Sequence, residues 1–321
     1  MSVYLVVGGA GFIGSNLVEA LLERGHTVRV IDNFATGRRE NLEPFRAQVE
    51  LFERDITQAR GLEEAFRGVD YVLLQAALPS VPRSIEDPVG TFRTNVEGTL
   101  NVLEAARAAG VRKLVFASSS SIYGSNPELP KRETMLPAPM SPYAAGKLAA
   151  ETYCRVYHRV YGLPTTCLRY FNVFGPRQNP ASQYAAVIPL FITAGLHDRE
   201  VTVYGDGEQS RDFTYVSNVV QANLLAAENP AGAGGAFNAA CGDRITLNGM
   251  LAMLEQILGR DIRRKYVAPR PGDVPHSQAD ITLLQETFSY KPQISFHSGL
   301  QRTFDYFKDL MQRDNRDHSV R

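Results

Sequence analysis

The sequence predicts an α/β protein, a doubly wound parallel sheet with a smaller α/β lobe at its C-terminal side. Three observations predict it. Strand-like and amphipathic helical runs alternate through roughly the first 170 residues, the signature of successive βαβ units. Gly25, Gly110 and Gly162 follow the last turns of helical runs, where a C-cap is expected. Beyond about residue 175 the rhythm loosens, as Pro176, Pro180 and Pro189 interrupt it.

In chain order, the strand VYLVVG runs into the helix GSNLVEALLERG, and TVRVID is the second strand. A helix near GLEEAFRG and the strand YVLLQAA follow. TFRTNVEGTLNVLEAARAAG is a long helix, VRKLVFAS a strand, SPYAAGKLAAETYCRVYHRVYG a second long helix and PTTCLRY a strand. Farther on, VTVYGDG and QSRDFTYV read as short strands around a glycine turn. SNVVQANLLAAE reads as a helix and AFNAAC as a strand, both placed to return to the first sheet. Residues 1–174 with 217–241 are therefore expected to form one domain, and 175–216 with 242–321 the second lobe.

Composition narrows the function classes. Lys+Arg and Asp+Glu both number 34 in 321 residues, so no net charge draws the whole chain to nucleic acid or an anionic membrane. The 44% apolar content is that of a folded globular protein. No apolar run approaches the length of a bilayer span, and MSVYLVVGGAGFIG lacks a basic leader region, so a cytoplasmic location is expected. Cys154, Cys167 and Cys241 are widely spaced and odd in number. They suit free thiols in a reducing compartment better than a disulfide framework or a metal site, and no metal is expected.

VVGGAGFIGSNL sets Gly8, Gly11 and Gly14 between a strand and a helix, with Phe12 and Ile13 opening the helix. Glycine there lets the backbone approach a pyrophosphate, and the helix N-terminus offers free N–H groups and a positive dipole end. The next strand ends in Asp32, placed to accept adenosine ribose hydroxyls and to repel a 2′-phosphate. This is a Rossmann-type dinucleotide site that favours NAD. Arg38 and Arg39 stand close by as a caution, since arginine accommodates the extra phosphate of NADP.

SPYAAGKLAAE places Tyr143 and Lys147 four residues apart on one face of a helix, with Ser141 as its cap and Pro142 in its first turn. GGAGFIG, SSSSIYG, YAAGK and LRYFNVFGPRQ, in this order and spacing, resemble the extended short-chain dehydrogenase/reductase family. The chain is most similar to its nucleotide-sugar 4-epimerases, especially those acting on UDP-N-acetylglucosamine and UDP-glucose, from Val3 to about Asp280.

The resemblance implies that Tyr143 is a general base on a sugar hydroxyl while NAD takes the hydride from the same carbon. A 4-keto sugar then turns and receives the hydride on its other face, so the coenzyme stays bound. The resemblance also implies that Lys147 holds the nicotinamide ribose and lowers the pKa of Tyr143. A free phenol titrates near 10, and poising it near 7 takes about 4 kcal/mol of differential stabilisation.

Further coenzyme contacts implied by the resemblance are Asn33, Asp55 and Ile56 on the adenosine side, Gln75, Ala76 and Ala77 after a strand end, and Asn95 and Phe171. Gln75 stands where many relatives carry histidine. For the nucleotide sugar it implies Asn172, Val187 in YAAVIP, Tyr204, Arg211, Arg270 and Asp273. Arginine suits phosphate because its planar fork donates paired bonds. LPSVPRSIEDP, read as a loop, offers Ser80, Arg83 and Ser84. Ser277, seven residues beyond Arg270, occupies a position that is commonly tyrosine in relatives restricted to plain hexoses and small in those accepting N-acetyl sugars. UDP-GlcNAc and UDP-GalNAc are therefore expected substrates, with UDP-glucose and UDP-galactose.

Aligned on Ile122-Tyr123-Gly124, Ser119 falls where the family has its catalytic serine or threonine, with Ser120 beside it. Ser120 and Ser121 stand where sugar 4,6-dehydratases carry Asp and Glu, so the acids for eliminating water are missing. Ser118 is expected to serve the backbone or the cofactor. UDP-uronate epimerases and decarboxylases share much of the scaffold and remain the alternative enzymes. A non-catalytic NAD-binding protein is the alternative from another class, opposed by the retention of Tyr143, Lys147 and a candidate serine. Family members pair two long helices per subunit, which implies a homodimer through TFRTNVEGTLNVLEAAR and SPYAAGKLAAETYCRVYHRVY.

Overall fold

A computed structural model describes residues 1–180, 186–269 and 274–319, with side chains to residue 313. From the N-terminus, β1 (Val3–Val7) leads into α1 (Phe12–Glu23), β2 (Thr27–Asp32), β3 (Val49–Glu53), α2 (Glu63–Phe66) and β4 (Tyr71–Leu74). Next come α3 (Val81–Glu86), α4 (Pro88–Phe92), α5 (Gly98–Ala109), β5 (Lys113–Ser119), α6 (Pro142–Tyr161) and β6 (Thr165–Tyr170). The remainder holds β7 (Val173–Phe174), α7 (Val187–Leu196), β8 (Val201–Tyr204), β9 (Ser210–Arg211), β10 (Thr214–Tyr215), α8 (Val216–Glu228) and β11 (Ala236–Ala239). It ends with β12 (Ile245–Thr246), α9 (Leu247–Leu258), β13 (Arg264–Val267), α10 (Thr282–Phe288) and α11 (Phe296–Ser319).

The expected doubly wound Rossmann-type sheet is present. Seven parallel strands lie in the order β11-β6-β5-β4-β1-β2-β3, so the direction of winding reverses between β1 and β4. Ligands bind such sheets in the crevice at that reversal. β1 shows why the sheet needs cover on both faces. Tyr4 and Val6 enter one core with α1 and α8, while Leu5 and Val7 enter another with α2, α5 and α6. All four are fully buried, and Leu5, Val6 and Val7 each contribute about 1.5–3 kcal/mol relative to exposure.

A third core joins α7, α9 and α11 through Phe191, Met250 and Phe304. The helix 216–228 and the strand 236–239 return to the main sheet, the latter as its edge beside β6. Among the described residues, no helix is long and apolar enough to cross a membrane.

The short strands expected around Gly205 are present and pair with distant partners: β8 with β13, β9 with β12 and β10 with β7. Two local expectations are corrected. The run 91–110 is not one regular helix, because a π-helical turn at Arg93–Glu97 separates α4 from α5. LPSVPRSIEDP is not a loop but holds α3 and the start of α4, with Ser80 and Asp87 accepting bonds from the Arg83 and Gly90 amides. Pro82 and Pro88 sit in first helical turns, where no intrahelical N–H is lost.

Candidate active site

The turn after β1 crosses the reversal point with no room for side chains. At Gly8, with φ +87°, an added Cβ would lie 2.6 Å from the Ala76 nitrogen. At Gly14 it would lie 2.1 Å from the Gly8 carbonyl oxygen, so helix and turn touch only because both residues are glycine. Over Gly11 the space is open apart from the Gly8 carbonyl at 3.3 Å. No side chain caps α1 there, which leaves its first amides for an anion. That donor set fits a pyrophosphate.

A cavity of about 290 Å³ on one side of this turn is lined by Asp32, Asn33, Asp55, Ile56, Gln75, Ala76 and Ala77, together with Gly8 and Gly11. Asp32 is 8% exposed, and its two oxygens accept the Ala10 and Phe34 amides at 2.8 Å each. Burial raises its pKa, and these bonds oppose the rise. The Asn33 amide donates to Asp55 at 2.9 Å, joining the ends of β2 and β3. Arg39 is turned away: both its contacts to Glu53 are 2.7 Å, and it lies 3.9 Å over the Phe34 ring. The arginine that cautioned for a 2′-phosphate is thus engaged elsewhere, while Arg38 lines the neighbouring cavity.

That second cavity, about 370 Å³, shares Gly8, Gly11, Gln75 and Ala77 with the first, so the two form one trough. Phe12, Ile13, Gly14, Ser80, Arg83, Tyr143 and Lys147 line it. Lys147 is 3% exposed, donates to the Ala117 carbonyl at 2.8 Å, and is pushed down to about 8 by burial. Burial pushes the Tyr143 phenol up, and a hydrogen bond with Ser119 opposes this.

Ser119 caps a short 3-10 turn, accepting from the Ser121 amide at 3.2 Å and from its hydroxyl at 2.9 Å. Ser120 opens that turn and lines neither half of the trough. Ser118 lines the trough. Its hydroxyl donates to Glu151 at 2.6 Å, and Glu151 in turn holds Arg169 at 2.6 Å, all three buried.

Three further residues sit behind the trough rather than on it. Asn95, on the π-helical turn, accepts from the Leu78 amide at 2.8 Å and donates to its carbonyl, which fixes the chain leaving β4. Phe171 is fully buried, and the residue on the trough is Tyr170, bonded to Gln75 at 3.1 Å and to Asn223. Ser84 is fully buried and donates to the Val81 carbonyl at 2.7 Å. Arg177, Gln178 and Asn179 also line the trough, although sequence reasoning assigned them no role. Their signal was the motif GPRQNP itself.

A third cavity of about 520 Å³ meets the trough at Ala186 and is lined by Asn172, Val187, Tyr204 and Arg211. Leu190, Phe191 and Phe213 supply apolar walls. Arg211 also donates to the Ser210 and Pro275 carbonyls at 3.0 Å. The Asn172 amide reaches the Ser277 hydroxyl at 3.3 Å. Arg270, Asp273 and the first two residues of YAAVIP lie outside the described residues.

Residues 4–240 match the NAD dependent epimerase/dehydratase family. The chain belongs to that family. The chain is 38% identical over 313 residues to a UDP-glucose 4-epimerase of Mycolicibacterium smegmatis, covering 96% of this chain and 99% of that one. Its structure resembles that of a UDP-N-acetylglucosamine 4-epimerase from Methanobrevibacter ruminantium M1 in complex with UDP-N-acetylmuramic acid. The TM-score is 0.92 at 41% identity, over 96% and 99% of the two chains. A UDP-glucuronic acid 4-epimerase from Bacillus cereus, bound to UDP-glucuronic acid and NAD, has a TM-score of 0.89 at 32% identity, over 96% and 99%. NAD is the cofactor, and the capless α1, the close glycines and Asp32 fit it.

Proposed function

We propose that this protein is a UDP-sugar 4-epimerase that interconverts UDP-GlcNAc with UDP-GalNAc and UDP-glucose with UDP-galactose. The observation that carries the reading is the placement of Tyr143 and Lys147 on the lining of a glycine-bounded dinucleotide trough that meets, at Ala186, a cavity bearing Arg211. Bound NAD supplies a reversible hydride acceptor at the sugar C4.

The chain's residues supply the rest. Tyr143 takes the proton of the 4-OH and later returns it, while Ser119 shares the hydrogen bond and orients the hydroxyl. Lys147 holds the nicotinamide ribose, and Asp32 with the α1 amides holds the adenosine and pyrophosphate. Arg211 and Asn172 take the substrate diphosphate, and the uracil lies in the apolar part of the third cavity with Val187 and Tyr204. Ser120 and Ser121 are hydroxyls where a dehydratase needs acids, so elimination has no proton carriers.

In this reading residues 1–174 with 217–241 hold the coenzyme, and 175–216 with 242–321 hold the nucleotide sugar, in the cytoplasm. The protein acts as a homodimer. α3, α4 and α6 pack side by side and expose Ile85 (65%), Phe92 (56%) and Val160 (64%), an apolar face that a second copy covers.

The test incubates the purified protein with UDP-GlcNAc, UDP-glucose and UDP-glucuronic acid and follows products by NMR. The 4-epimers of the first two are expected. Turnover of the uronate alone, release of CO2, or no product from any of the three would overturn the reading. Sedimentation that remains monomeric at micromolar concentration would overturn the dimer.

A further inference from the structure

Between the substrate-side Asn172 and the trough, the chain takes unusual backbone conformations. Asn172 has φ +34° and Arg177 has φ +69°, both left-handed and unusual for residues with a Cβ. The chain then reaches the trough, whose lining holds Arg177, Gln178 and Asn179 together with the glycine turn.

That stretch is tied to α1, the helix whose first turn cradles the dinucleotide. One Arg177 nitrogen, Nη2, donates to Asn16 Oδ1 at 2.9 Å and also reaches the Glu19 carboxylate. Asn16 completes the tie, donating both to the Pro176 carbonyl at 3.2 Å and to the Phe12 carbonyl at 2.8 Å. The guanidinium also lies 5.7 Å over the Phe45 ring. The fastening is not fully satisfied. Arg177 Nε and Gln178 Oε1 are sealed from solvent, and neither has a hydrogen-bond partner among the described residues. Burying unpaired polar atoms is unfavourable, so the closed arrangement is held by a few bonds against a standing cost.

We propose that Arg177 is a cofactor-retaining residue: its guanidinium latches the 175–179 segment to α1 and closes the Tyr143 side of the trough over NAD. A reaction that restores its coenzyme in every cycle has no need to release it, and a latch across the trough slows that release. Arg177 touches α1 rather than the reacting atoms, so it is a positioning residue. The inference rests on NAD as the cofactor and not on the identity of the sugar.

The test measures exchange of bound NAD against labelled NAD in solution for the purified holoenzyme, with no sugar present. Arg177→Ala is expected to speed exchange by about tenfold or more, since loss of contacts appears mainly in dissociation rates. Arg177→Lys, which keeps the charge but not the fork, should fall between parent and alanine. Asn16→Ala should move exchange in the same direction from the other side of the latch. A melting temperature recorded in excess NAD separates retention from general instability. An exchange rate for Arg177→Ala within twofold of the parent overturns the proposal. If that variant does not fold, the same result for Asn16→Ala overturns it. Failure of the epimerase assay leaves the exchange measurement readable, so the two readings fail separately.

Discussion

Asn172 and Ser277 lie 105 residues apart and meet through a 3.3 Å bond from the asparagine amide to the serine hydroxyl. The same amide donates to the Asp212 carbonyl at 3.3 Å, and the Ser277 amide to the Ser210 carbonyl at 3.0 Å. Ser277 is thus pinned by its backbone beside a residue assigned to the substrate, and its side chain is the part free to vary. Ser277→Tyr is expected to lower kcat/KM for UDP-GlcNAc at least tenfold more than for UDP-glucose, a difference of about 1.4 kcal/mol. Equal losses on the two substrates would dispose of the size gate.

Tyr143→Phe removes the phenol proton acceptor and leaves the ring. Turnover should fall by about 10²–10⁴, the usual share of a positioned acid–base group. Ser119→Ala should fall less, and Ser120→Ala least, because only Ser119 bonds to the phenol. The reverse order for the two serines in a steady-state assay would show the register to be displaced by one residue.

Glu151 and Arg169 form a buried ion pair, with side chains 2% and 4% exposed, and Ser118 completes the carboxylate's bonding. Glu151→Ala leaves the guanidinium buried without its partner. Urea unfolding should report a loss of about 3–5 kcal/mol. A loss below about 1 kcal/mol would mean that Arg169 finds another acceptor, such as the Tyr123 hydroxyl to which it already donates at 2.8 Å.

Asp212 gives a pH dependence with a definite sign. Burial raises its pKa from 3.8 to about 6, against the pull of the Ala279, Cys241 and Gly242 amides. Between about pH 4 and 6 the native carboxyl keeps a proton that the unfolded chain has lost. Its contribution therefore favours the native state most below pH 4, declines as pH rises through that window, and is level above it. Asp212→Asn should remove this decline, so the urea midpoints of parent and variant, compared from pH 4.5 to 7, should not run parallel. Parallel curves would place the titration elsewhere.

What was legible in the sequence is what local spacing encodes. The glycine turn, Asp32 at a strand end, and the Tyr143–Lys147 pair on one helix face are set by neighbours within a few residues, and all of them line the trough. Pairings between distant short strands were not legible, since two-residue elements such as β9 and β12 carry no periodicity. LPSVPRSIEDP reads as a loop, yet Pro82 and Pro88 each sit in a first helical turn behind Ser80 or Asp87, a capping signal that the sequence carries. Asn95 and Phe171 were displaced for a different reason. A π-helical turn shifts the face of one, and strand alternation puts Tyr170 rather than its neighbour on the trough.

The edge position of β11 bears on how the chain is made. During synthesis β6 emerges long before residues 236–239, and until they follow it the sheet ends in a bare row of β6 amides and carbonyls. Such a row is a template for pairing with other chains. A ribosome stalled between residues 174 and 236 would therefore present the nascent chain in its most association-prone form, and chaperone capture should peak over that interval and fall once β11 has docked.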